Sequence, residues 1–201
     1  TYMQPLYRER RFGRDAYQRE MQKQRTMNRS PVAPRESKNS HEIYFGPGGS
    51  NDIYYKGSLV LHTLRWQMGD EKFFQSLRRF CYPTEAARKA TDGSQVRLVD
   101  TDDYVKLCSE IAGEDLGWFF EVYVRQPHLP KLAAEKQAGL LKLRWETPGE
   151  LPFALPVPVL VGGKEVRVAM AGGVGEVEVG DADYTIDPEM RLLMVRPSRP
   201  R

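Results

Sequence analysis

The residues best placed to do chemistry stand at one helix start, in the run Asp52-Ile53-Tyr54-Tyr55-Lys56-Gly57-Ser58. Two tyrosines open an apolar, helix-spaced stretch immediately after a long loop. A phenol mounted there projects into a cleft while the helix behind it is locked by packing, which is how an oxyanion donor is best held. A helix-initial tyrosine is, however, usually a packing residue, and residue chemistry alone does not single this one out. Other constellations fail on spacing. His41-Glu42 is followed by Ile43, Tyr44 and Phe45, so the second histidine of a zinc-binding His-Glu-x-x-His helix is missing. No Gly-x-Ser-x-Gly elbow accompanies His41, His62 and His128, and three scattered histidines choose no base. His62 reads as a packing residue and His128 as a loop residue. Gly46-Pro47-Gly48-Gly49-Ser50 lacks the Gly-Lys-Ser/Thr of a phosphate loop and reads as a cluster of turns.

The elements that must position Tyr54 emerge from periodicity. Residues 2–27 favour helix, with a break at Phe12-Gly13, and predict two consecutive helices. Residues 28–52 are too dense in Ser, Pro, Asn and Gly for regular structure and predict a long loop. Leu59, Val60, Leu64 and Met68 then recur at helical spacing up to Gly69. Asp70 is expected to cap a further helix that buries Phe73, Phe74, Leu77 and Phe80. Residues 83–99 read as irregular. Thr101 starts a helix with inner face Tyr104, Cys108 and Ile111, and Gly113 closes it before a short helix over 114–124.

At Pro127 and Pro130 the pattern turns to alternation and short apolar runs, a change of layer or a domain boundary. Leu141, Leu143 and Trp145 predict a half-buried strand; Pro156 and Pro158 predict that residues 153–161 form an edge strand or a bulge. Gly162-Gly163 fits a two-residue hairpin turn, and residues 174–179, 184–186 and 191–195 complete a small sandwich.

Composition excludes little. The 201 residues carry a net charge of +3, too mild a balance to indicate nucleic acid or an anionic membrane. The basic stretch over residues 8–38 lacks the interleaved aromatics of a nucleic-acid surface and reads as a solvated helix face. No apolar run approaches the roughly 18 to 20 residues of a membrane-spanning helix. Cys81 and Cys108 fit no metal or redox spacing and read as two buried thiols.

The chain also resembles a known family. Tyr54-Tyr55-Lys56-Gly57 with Ser58-Leu59-Val60-Leu61-His62-Thr63-Leu64-Arg65, followed by Gly69-Asp70-Glu71-Lys72-Phe73-Phe74, is similar to the Tyr-x-Lys-Gly helix and its successor in the M1 family of zinc metalloaminopeptidases, the group that includes aminopeptidase N and leukotriene A4 hydrolase. The resemblance extends through Thr101-Asp102-Asp103-Tyr104 and Gly113-Glu114-Asp115-Leu116-Gly117-Trp118-Phe119-Phe120 into the β region. It implies an α+β chain in which residues 1–127 are the C-terminal helical part of a thermolysin-like catalytic domain and residues 128–201 a β-sandwich. It assigns Tyr54 as the catalytic tyrosine, donating a hydrogen bond to the oxyanion formed on the scissile peptide carbonyl. Thr1-Tyr2-Met3-Gln4 is similar to the residues just after the family's Asn-Glu-Gly-Phe-Ala segment, so the ligands of the catalytic Zn2+ and the amino-terminus recognition segment are expected upstream of residue 1. The expected partners are a peptide substrate and the rest of the same polypeptide, without nucleic acid or membrane, and the 201 residues alone are expected to be inactive. The competing reading is a non-catalytic protein- or nucleic-acid-interaction module.

Overall fold

Gly69 shows how the helical half turns its corners. Its φ of 79° closes one helix and opens the next, a backbone geometry that costs an L side chain but not glycine. The computed structural model describes residues 1–36, 39–46 and 48–196. Within them α1 (Met3–Phe12) and α2 (Arg14–Lys23) part at Gly13, as the sequence predicts. The long loop is not wholly irregular, for α3 (Ser40–Phe45) interrupts it. Its start is a capping box, in which the Asn39 side chain accepts from the Glu42 amide and the Glu42 carboxylate accepts from the Asn39 amide. Ser37 and Pro47, counted among the loop's breakers, and Lys38, the end of the basic stretch, lie outside the described residues.

A 3₁₀ turn, Asn51–Ile53, leads into α4 (Tyr55–Met68), and α5 (Asp70–Cys81) comes next. Asp70 is not the cap of α5. Gly69 holds that place, and the Asp70 carboxylate instead accepts from the Arg65 guanidinium at 2.8 and 2.7 Å. Of the expected stripe Phe73 is fully buried, whereas Phe74 reaches the surface beneath that same guanidinium. The region predicted as irregular contains α6 (Glu85–Lys89), capped by the Thr84 side chain. α7 (Thr101–Ala112) begins at the predicted residue and ends at Gly113; its cap is Asp100, in a reciprocal box with Asp103.

After α8 (Gly117–Phe120) the helix widens into a π turn, Glu121–Arg125. The Val124 carbonyl, in the last turn where no later amide of the helix reaches it, accepts from the amides of Val32 and Ala33 at 3.0 and 3.1 Å. Of the two cysteines only Cys108 is buried; Cys81, at the exposed end of α5, corrects the expectation of two buried thiols.

The remainder is β, which makes the chain α+β. β1 (Lys131–Gln137), β2 (Leu140–Glu146) and β5 (Val174–Glu178) form one antiparallel sheet in the order β1-β2-β5. β3 (Val157–Val161), β4 (Lys164–Val168) and β6 (Tyr184–Ile186) form the second, ordered β4-β3-β6. β3 is therefore central, not the edge that Pro158 predicts. β6 covers only Val159 to Val161, so the missing N–H of Pro158 faces no strand, while its carbonyl still accepts from the Asp187 amide at 2.8 Å. Gly162 and Gly163 make the expected hairpin turn, both at positive φ.

Residues 191–195 form no strand. Side chains satisfy much of their backbone: the Asp187 carboxylate accepts from the Arg191 and Leu192 amides, and Thr63 Oγ1 accepts from Leu193 N and donates to Arg191 O. One apolar cluster runs from Tyr2 to Leu193 through both halves. Phe153 sits at its centre, edge-on to Trp118, Tyr123 and Trp145 at 5.2 to 5.4 Å between ring centroids.

Candidate functional site around Tyr54

Tyr54 occupies the joint between the 3₁₀ turn and α4, with its amide on Asn51 O at 3.0 Å and its carbonyl accepting from Ser58 N at 2.9 Å. The residue is 53% exposed, its ring stands edge-on to Tyr44 of α3 at 5.8 Å, and its hydroxyl bonds to none of the described residues. Tyr55 beside it is also at the surface, and Phe45 extends the aromatic face next to Tyr44. Gly49 lets α3 come this close, because a Cβ there would lie 2.7 Å from Tyr44 O and 2.8 Å from Ile43 O.

The residues on either side of the tyrosine pair turn inward. Asp52 is wholly buried, and its two oxygens accept from Thr26 Oγ1 at 2.6 Å and from the amides of Met27, Arg29 and Ser30 at 2.7, 3.2 and 3.3 Å. Burial raises its pKa, but these donors outweigh burial and hold it below the usual carboxylate value. Lys56 is wholly buried too. Its ammonium donates to the carbonyls of Gln126, Pro127 and Ser30 at 2.7, 3.0 and 3.4 Å, and burial lowers its pKa to about 8 against the opposing pull of Asp52. The sequence run contains both residues, but their partners lie 22 to 26 and 26 to 71 positions away, so no local pattern discloses what they do.

The other candidates are not brought to Tyr54. His62 lies about two turns further along α4, with Nε2 against Met190 O at 3.2 Å and Nδ1 against the Tyr17 hydroxyl at 2.5 Å. The carbonyl can only accept, so Nε2 carries the proton and Nδ1 accepts from Tyr17, which in turn accepts from Tyr2 at 2.8 Å. His128 is exposed, with Nδ1 against Asn28 O at 2.9 Å, and His41 packs on Phe45 at the surface. No three His, Cys, Asp or Glu side chains among the described residues gather as metal ligands, so the residues present do not fit a catalytic zinc ion. Among the described residues no helix is long and apolar enough to cross a membrane.

No protein-family model matches the chain, and no curated protein matches it. Among solved structures, the fold is similar to the crystal structure of Legionella pneumophila aminopeptidase A in complex with aspartic acid, with a TM-score of 0.55 and 15% sequence identity. The match covers 94% of this chain and 20% of that one, so the chain spans about one fifth of the length of that aminopeptidase, and the likeness is one of fold.

Proposed function

We propose that this chain is the C-terminal part of a zinc-dependent aminopeptidase of the M1 type, which removes amino-terminal residues from peptides by hydrolysis. In this reading residues 1–127 complete a thermolysin-like catalytic domain and residues 128–201 form its small β-sandwich. The zinc ligands belong to polypeptide outside these 201 residues. One observation carries the reading: an exposed tyrosine whose hydroxyl bonds to none of the described residues, Tyr54, stands on a backbone anchored by buried charges, in a chain whose fold is similar to part of an aminopeptidase.

The chemistry assigned to Tyr54 is that of a preorganised donor. Its hydroxyl donates a hydrogen bond to the oxygen of the scissile carbonyl as negative charge develops there. The residue is exposed, and its hydroxyl has no partner among the described residues to give up before it donates that bond. Loss of one such donor costs on the order of 10²- to 10³-fold in rate.

The test begins with the coding sequence upstream of Thr1. A His-Glu-x-x-His motif with a downstream Glu supports the reading, and its absence sinks it. In the polypeptide carrying those ligands, Tyr54→Phe is expected to lower kcat by on the order of 10²- to 10³-fold with Tm nearly unchanged. Retained activity with lost stability would make Tyr54 a packing residue. The 201-residue chain given equimolar zinc is expected to show no turnover of an aminoacyl substrate, and efficient turnover would contradict the placing of the ligands elsewhere.

A further inference from the structure

Tyr54 is half exposed and the aromatic ring it meets among the described residues is that of Tyr44, so the backbone that carries it has a large share in placing the phenol. That backbone is anchored two residues before and two residues after the tyrosine, by Asp52 and Lys56. Both anchors grip the same strip, residues 26–30. Asp52 takes its amides and Lys56 takes its Ser30 carbonyl, so the strip is held through both polarities at once. Lys56 alone reaches further, to the carbonyls of Gln126 and Pro127, where the π turn has ended and the β half is about to begin. An apolar side chain would fill that space without the cost of burying a charge. What the ammonium adds is direction: three bonds that fix one arrangement of three chain segments.

We propose that Lys56 is a positioning residue for Tyr54, tying the turn that carries the phenol to the 26–30 strip and to the 126–127 junction. The chemistry it would serve rests on the peptidase reading above, whereas the mechanical claim does not. The charge acting on Lys56 is that of Asp52. The other ionisable groups on the strip and the junction have partners of their own: Arg29 on Gly49 O, Arg125 on Ala33 O and Asp102, and His128 on Asn28 O.

The experiment places 4-fluorophenylalanine, which does not ionise, at position 54 of the 201-residue chain and tracks its fluorine resonance. As pH rises through about 8 the Lys56 ammonium loses its proton, and the resonance is expected to shift with that midpoint. Lys56→Met is expected to move the resonance at neutral pH and to abolish the step. Should that variant fail to fold, the titration of the unsubstituted lysine decides alone, and a resonance that stays fixed through the step overturns the proposal. In the polypeptide bearing the metal ligands, Lys56→Met is expected to lower kcat by roughly 10- to 100-fold with little change in KM, the signature of a misplaced catalytic group. If Tyr54→Phe retains full activity there, the peptidase reading of the phenol fails while the fluorine result stands. If Tyr54→Phe is inactive but Lys56→Met keeps its kcat, the positioning role alone fails.

Discussion

His62 is held neutral by its surroundings. Burial, helped by the charges of Arg14, Arg65 and Arg191, outweighs the bond to the Met190 carbonyl and lowers its pKa from 6.5 to about 4. Between those values the unfolded chain binds a proton that the folded chain refuses. The stability this group supports is therefore complete above pH 6.5 and lost as pH falls toward 4, by roughly 3 kcal/mol. A Tm series from pH 7 to 4.5 is expected to fall, and His62→Gln is expected to flatten that part of the curve. The sequence reads His62 correctly as a satisfied packing residue, because it stands among apolar neighbours at helical spacing. It does not disclose the Tyr2–Tyr17–His62 chain, whose members come together only when α2 docks on α4. Tyr54 is singled out in the sequence by family resemblance rather than by chemistry. What a sequence cannot display is that its hydroxyl has no partner among the described residues, which is a property of the folded surface.

At the scale of elements, glycine corners and apolar spacing make most helices legible, and α4 and α7 carry the expected residues at the expected places. The failures have local causes. α3 is hidden among breakers because a six-residue helix leaves little periodic signal, and its capping box is the one clue. Pro158 suggests an edge strand, but it is the shortness of β6, an element distant in sequence, that admits a proline to the centre of the sheet. Residues 191–195 alternate like a strand yet pair with side chains, chiefly Asp187 and Thr63, which no alternation rule registers. The α7 start allows a direct check. Asp100 accepts from the Asp103 amide at 2.9 Å, and its replacement by Ala is expected to cost about 0.5 to 2 kcal/mol, read as a lowered Tm or denaturation midpoint. An unchanged midpoint would mean that tertiary packing alone sets this helix start.

Across the whole molecule, a shared core binds the helical and β halves, while apolar side chains remain on the outside. Met3, Tyr7 and Phe12 on α1, Phe45 and Tyr54 beside the candidate site, and Leu98 in the loop before α7 are all exposed. Where such side chains join into one face, they drive association. Sedimentation of the 201-residue chain is expected to show concentration-dependent self-association, and a purely monomeric boundary at high concentration would argue that these side chains are too scattered to form an adhesive face. The widened turn at Glu121–Arg125 has its own consequence for how the chain tolerates change in length. Taking one residue out would let the local spiral tighten to ordinary pitch, an improvement for that segment considered alone. The Val124 oxygen, in a last turn that stops before Pro127, would then swing round with the tighter spiral, and Val32 and Ala33 would lose their mooring. A shorter segment at that point is compatible with this architecture only if the stretch opposite changes with it.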